Sequence, residues 1–302
     1  MVDAISDNAA AAWPTVQAAA ALARTGLDRS RTARFRLSED GRLVAASDGQ
    51  RAALEWQPER GWVAADVSAE DRPFFEVYLP LCAADAAHPV VVAQLAQSLD
   101  GFIATADGDS HFVSGQAALL HLHRLRALCD AVVVGAGTVA ADDPLLTTRL
   151  VEGSHPLRVV LDPRGNVPAS RRVFDPSTPS LRICAAPALS AHGPVQLGAH
   201  VETMQQRGMG IDLSELLGLL RQRGCHSVLV EGGGVTVSAF LAAGLLDRLH
   251  LLVAPLLIGN GRPGIRLPPR PRLADCLRPV MRRYVLEEDM LFDCDLSQVG
   301  VD

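Results

Sequence analysis

A chain of 302 residues with 48% hydrophobic side chains carries enough apolar material for one large domain and a smaller one, and needs no covalent staples. Its formal charge of −6 and 4% aromatic content argue against a binder of phosphate backbones, which needs basic surface and stacking platforms, so no nucleic acid partner is expected. All 28 basic side chains are arginine, which leaves no lysine for a Schiff base or a P-loop.

The first predicted element is an Ala-rich helix around Asn8 to Arg24. Asp40-Gly41 between the runs Arg34–Leu37 and Leu43–Ala45 is a hairpin signal. Residues 1–86 thus read as a small α+β appendage of unassigned role, with a linker from Leu79 to Pro89 bounded by prolines. From residue 87 to 302 the pattern changes to short apolar runs alternating with helical periodicity. Val90–Ala93, Ala131–Val134, Leu157–Leu161, Leu181–Cys184 and Ser227–Val230 read as buried strands. Between them, Ser114–Leu128 reads as a helix, and so does Asp212–Arg223, with Asp212 as cap and Gly224 as stop. Leu249–Ile258 and Met290–Leu296 read as strands without a crossover helix, hence an antiparallel edge. The expected fold class is α/β, a mainly parallel central sheet with helices on both faces. No apolar run reaches the roughly 18 residues of a membrane span and the start lacks a basic n-region, so a cytoplasmic protein without a membrane partner is expected. The six cysteines lack C-x-x-C or His-Cys spacing suited to zinc and read as reduced, mostly buried thiols, with no metal expected.

Three segments carry chemistry. Val228–Glu231 runs into Gly232-Gly233-Gly234 and a helical stretch, which lets backbone approach a diphosphate and aims helix-start N–H groups at it. Val134-Gly135-Ala136-Gly137-Thr138 repeats that design, with Thr138 able to donate to phosphate. Asp100-Gly101 follows the first strand of the domain, where open α/β sheets place ligands. Asp142 and Asp143 point apart on a helix, so solvent exposure or a cap is expected rather than a metal site. His121 and His123, two apart on a helix, read as surface residues.

Ser98-Leu99-Asp100-Gly101, Gly108-Asp109-Ser110, His123-Arg124-Leu125-Arg126-Ala127, Gly137-Thr138-Val139 with Asp142-Asp143-Pro144 and Leu146-Thr147, Arg158–Asp162 and Glu231–Gly234 occur in this order. The chain in this respect resembles the reductase domain of the bifunctional riboflavin-biosynthesis deaminase-reductases, over residues 88 to about 296. The resemblance implies a dihydrofolate-reductase-like fold, NADPH as cofactor, a homodimer, and reduction of the ribosyl group of a 5-amino-6-(5-phosphoribosylamino)uracil-like pyrimidine to ribityl. It implies cofactor contacts at Phe112, Thr138, Asp142, Gly232, Gly233, Gly234, Val235 and Thr236, and substrate contacts at Ser110, Arg126, Arg149 and Glu231. Two arginines suit a sugar phosphate, because a guanidinium fork binds phosphate oxygens in pairs. Glu231 and Asp100 are the carboxylates expected to relay a proton.

Three departures from the family pattern stand out. The basic residue that often follows Ser-Leu-Asp-Gly is Phe102. The position often serine near the adenosine is Pro163, which leaves Arg164 as the candidate for a 2′-phosphate. No H-x-E with P-C-x-x-C occurs, so the deaminase half is not expected. Alternative readings are a reductase of another pterin-like or imine heterocycle, and a non-catalytic NADPH-binding protein.

Overall fold

The computed structural model describes residues 3–5, 12–110, 113, 115–186, 201–207 and 210–297. After the short β1 (Asp3–Ala4) comes α1 (Trp13–Thr25), with Pro14 in its first turn, where a missing N–H costs nothing, and Gly26 at its end. Strands β2 (Ala33–Leu37), β3 (Leu43–Ala45), β4 (Leu54–Gln57) and β5 (Gly61–Ala64) form an antiparallel sheet in the order β3-β2-β4-β5. The expected hairpin is its first pair, with Phe35 opposite Ala45 and Gly41 turning at φ 76°.

The expected linker is a packed element instead. Helix α2 (Arg72–Tyr78) runs directly into a 3-10 turn, Leu79–Ala83, whose Leu79, Leu81 and Cys82 are buried. Pro73 and Pro80 sit in the first turns of these two helices, so proline marks helix starts here rather than a loose tether.

The larger region contributes β6 (Val90–Ser98), β7 (Phe102–Thr105), α3 (Gln116–Leu128), β8 (Ala131–Gly135), α4 (Ala136–Asp142), β9 (Leu157–Leu161) and β10 (Ser180–Ala185). There follow β11 (Val201–Met204), the small ribbon of β12 (Gln206–Arg207) and β13 (Gly210–Ile211), α5 (Leu213–Gln222), β14 (Ser227–Glu231) and α6 (Gly234–Ala242). The chain closes with β15 (Arg248–Ala254), β16 (Gly261–Pro263), β17 (Val280–Leu286) and β18 (Asp289–Asp295).

Ten of these strands make one sheet in the order β1-β17-β18-β15-β6-β14-β8-β9-β10-β11. It is parallel from β15 to β11, and antiparallel where β18 pairs with β15 and β17, as the sequence predicts for the C-terminal edge. The central strands are apolar throughout because both faces are covered. Val92, Val132, Val134 and Leu229 face α3 and the N-terminal helices, while Val91, Ala93, Val133, Val228 and Val230 face α5 and α6. Asp212 caps α5 by accepting from the N–H groups of Ser214 and Glu215 at 2.9 and 3.1 Å, which fixes Leu216, Leu217 and Leu220 toward the sheet.

Residues 12–83 share one continuous hydrophobic cluster with α3 and the sheet, including Trp13, Phe74, Tyr78, Leu125 and Val132. That cover overturns the surface expectation for two histidines. His121 and His123 are buried, because α3 has the N-terminal helices behind it and a loop along its side. Of the cysteines, five are buried and Cys276 is exposed.

Candidate active site

At the carboxyl ends of β8 and β14 the chain makes two strand-glycine-helix junctions, into α4 and α6, and they interlock. A Cβ on Gly135 would lie 2.5 Å from Thr236 Oγ1, and one on Gly232, at φ +99°, would lie 2.7 Å from Thr138 Oγ1. The Gly233 N–H donates to Thr138 Oγ1 at 2.8 Å, which leaves the threonine its own hydrogen to donate outward. A third strip closes the junction from above: the Gly264 carbonyl packs so tightly on α6 that a Cβ on Gly234 would meet it at 1.9 Å. The Thr236 N–H turns back to the Gly233 carbonyl at 3.1 Å, while Gly234 and Val235, which precede the first bond of α6, line the cleft.

The cleft has a volume of about 2080 Å³. Of the residues expected to touch cofactor, Thr138, Asp142, Arg164 and Gly232 to Thr236 are on its wall, and Phe112 lies outside the described residues. Asp143, the neighbour of Asp142, is the left-handed C-cap of α4 and accepts from the Arg172 N–H, so one of the two aspartates is indeed a cap. Among the described residues no group of three or more His, Cys, Asp and Glu is placed to hold a metal ion.

On the α3 side the wall carries Ser110, Arg126 and Glu231. Arg126 donates to both carboxylate oxygens of Glu231, at 2.7 and 3.0 Å, and both side chains are buried. Its remaining Nη1 donates to the Thr147 carbonyl at 3.3 Å, and Arg149 Nη1 donates to that same carbonyl at 3.3 Å. The two expected arginines therefore converge, although Arg149 is exposed and stands behind the cleft wall rather than on it. Partial burial and the neighbouring Arg126 and Arg172 push the Arg149 pKa down, the mark of a locally positive potential.

Asp100 has a different job from the one expected. It is absent from the cleft wall, and its carboxylate accepts from the Ser98 hydroxyl and from the Ile258 and Gly259 N–H groups, tying two loops together. Those bonds, the Ser98 hydroxyl first, hold its pKa below the usual carboxylate range, which suits an acceptor and not an acid.

Sequence reasoning missed two parts of the wall. Glu287, Glu288 and Asp289 enter it from the β17–β18 turn. Asp289 is buried, accepts from the Gly115 N–H at 2.9 Å, and has its pKa raised by burial and then by Glu287 and Glu288, so it is suited to hold a proton. Its sequence signal is Glu-Glu-Asp between the apolar runs Tyr284–Leu286 and Met290–Phe292. The second part is Arg262 on β16, which pairs with β7. Its guanidinium lies over Gly108, where a Cβ would sit 2.5 Å from Nη2, so the glycine at φ +97° makes room for it. Phe102 is not on the wall, whereas Arg262 of the paired strand is.

His123 joins α3 to the loop behind the arginines: its Nδ1 accepts from the Arg149 and Leu150 N–H groups at 2.8 and 3.3 Å. Burial, then Arg126 and Arg149, push its pKa down to about 4 from 6.5. The unfolded chain takes up this proton near 6.5 and the folded chain only near 4, so stability should fall as pH drops through that window, by about 3 kcal/mol at most. His121 is shifted the same way by burial and adds to the effect. Urea midpoints measured across this range should decline steeply for the wild type and less steeply for His123→Asn. Parallel curves would contradict the assignment.

A mainly parallel sheet covered on both faces, with interlocked glycine turns opening on one long cleft, is an α/β frame built to take a nucleotide-sized ligand at its strand ends. The chain belongs to the family of the RibD C-terminal domain, whose family model matches residues 89–275. It is 34% identical over 211 residues to the 2,5-diamino-6-ribosylamino-4(3H)-pyrimidinone 5′-phosphate reductase of Methanothermobacter thermautotrophicus, covering 68% of this chain and 97% of that protein. It is 39% identical over 176 residues to the riboflavin biosynthesis protein RibD of Mycobacterium tuberculosis, covering 57% of this chain and 44% of that protein. The chain thus spans less than half the length of that relative. The solved RibD of Acinetobacter baumannii superimposes with a TM-score of 0.58 at 28% identity, covering 75% of this chain and 63% of that one.

Proposed function

We propose that the chain is an NADPH-dependent reductase of a ribosylamino-pyrimidine 5′-phosphate, converting its ribosyl group to ribityl, and that it works as a cytoplasmic homodimer. The observation that carries the reading is the meeting, in one cleft, of a backbone cradle for a diphosphate with the buried Arg126–Glu231 pair, next to which Arg149 converges with Arg126 on the Thr147 carbonyl. The cradle fits a dinucleotide: Gly233 and the start of α6 present backbone to the cleft, and Arg164 stands on the wall beside β9 for a 2′-phosphate.

When bound, NADPH supplies the hydride. The chain's own residues orient and exclude water. Thr138 and the α6 N–H groups hold phosphate oxygens, and Arg149 with Arg126 and Ser110 takes the substrate phosphate. Glu231, held by its two bonds from Arg126, accepts from the sugar or ring, and Asp289 serves as the proton source at the wall.

The test is loss of NADPH absorbance against phosphorylated and dephosphorylated ribosylamino-pyrimidines, folates, pterins and simple imines, each repeated with NADH. Turnover is expected with the phosphorylated pyrimidine and with NADPH in preference to NADH. Arg149→Ala should raise KM for that substrate about tenfold, the worth of one exposed charge-assisted bond, and leave the dephosphorylated one unchanged. Turnover of an unphosphorylated heterocycle alone would overturn the substrate assignment, and equal use of both cofactors would remove Arg164 from its role.

A further inference from the structure

The N-terminal helices reach the cleft only through what they hold. Among the described residues none before Gln94 is on its wall, yet α1 makes two hydrogen bonds to the loop that carries Thr147 and Arg149. Trp13 Nε1 donates to the Glu152 carbonyl at 3.0 Å, and Gln17 Nε2 donates to the same oxygen at 2.9 Å. The loop has no slack there. At Gly153, φ +145°, a Cβ would be 2.6 Å from the Ala127 Cβ on α3 and 3.3 Å from Gln17 Nε2, so backbone is wedged between α3 and α1.

Three residues earlier the same loop is held by His123 of α3, through the Arg149 and Leu150 N–H groups. α3 is itself gripped from behind. The Trp13, Phe74 and Tyr78 rings stack edge-on or tilted, Arg124 lies over the Phe74 ring at 4.8 Å, and the Tyr78 hydroxyl bonds His121 Nδ1 at 2.8 Å. The backbone from Arg149 to Glu152 is therefore fixed at its start by α3 and at its end by α1, and α1 and α3 are fixed to each other.

We propose that the N-terminal region is a positioning element for the substrate-phosphate side of the cleft, with Trp13 and Gln17 as the positioning residues that set Arg149 through the Glu152 carbonyl. The proposal rests on the reading of Arg149 as a phosphate ligand. A phosphate contact remote from the reacting carbon is the same in the ground and transition states, so loosening it raises KM and spares kcat. The cofactor cradle, on β8 and β14, is untouched.

The test is the double variant Trp13→Phe and Gln17→Met, which removes both donors, with Trp13→Phe alone as the control for the ring volume lost in the core. KM for the phosphorylated pyrimidine should rise about three- to tenfold, with kcat and NADPH affinity within about twofold of wild type. Each single variant keeps one donor on Glu152 and should stay near wild type. Amide exchange across residues 149–153 should accelerate in the double variant. Unchanged KM, or a parallel fall in kcat and cofactor affinity, would overturn the proposal. Should the wild type turn over none of the pyrimidines, the functional reading fails on its own, and the exchange result then decides: protection unchanged at 149–153 overturns the coupling, and lost protection upholds it.

Discussion

Arg126→Ala should be the most damaging single change on the substrate side, lowering kcat/KM by more than about a hundredfold and destabilising the fold by about 3 to 5 kcal/mol. The reason lies in what it leaves behind. Glu231 is 4% exposed and receives two bonds from the Arg126 guanidinium, so truncation strands a buried carboxylate. It also frees the Thr147 carbonyl, which Arg149 then holds alone. Arg149→Ala, at an exposed position, should cost far less in stability. Thermal unfolding beside steady-state kinetics separates the two effects, and a double change, Arg126→Met with Glu231→Leu, sharpens the separation. Removing both charges together should recover most of the stability, because the desolvation penalty goes with the pair. It should not recover activity. Recovery of turnover in the double variant would mean that the pair serves the fold alone.

The sequence exposes the parts of this site that have a local cause. Strands buried on both faces need unbroken apolar runs, so β8, β9 and β14 are visible as Ala131–Val134, Leu157–Leu161 and Ser227–Val230. A capped amphipathic helix announces itself through Asp212 and the leucines behind it. Glycine turns at strand ends are visible for the same reason, since only a missing Cβ allows Gly232 to approach Thr138. What is hidden depends on tertiary partners. β17 is not evident because Val280 to Arg283 lie exposed at its start, so no alternation marks that half. His121 falls at helical spacing from Ala118 and Leu125, but its polar side chain reads as surface because the partners that receive it, Tyr78 and His250, come from distant sequence. Asp100 reads the same in sequence whether it meets ligand or, as here, the backbone of Ile258 and Gly259.

The cofactor side allows a sharper separation of fold from function, because adjacent glycines differ in what surrounds them. Gly233 has φ −65°, which any residue adopts, and the nearest atom to a Cβ there is Thr138 Oγ1 at 3.3 Å, the end of a side chain that can shift slightly. A leucine at this position keeps the backbone and fills the cleft where phosphate must approach. Gly233→Leu should therefore weaken NADPH binding by at least about a hundredfold, the loss expected when about 3 kcal/mol of phosphate contact is forfeited, with little change in the melting temperature. Gly234 is one residue on and behaves oppositely. A Cβ there collides with the Gly264 carbonyl at 1.9 Å and with that of Pro263 at 2.7 Å, both backbone atoms, so Gly234→Ala should displace the strip after β16 and lower stability before it touches affinity. Cofactor titration by fluorescence, run beside thermal melts of both variants, distinguishes them. Wild-type affinity in a folded Gly233→Leu protein would remove the β14–α6 junction as the diphosphate site, and with it the orientation of the cofactor toward Glu231 and Arg126.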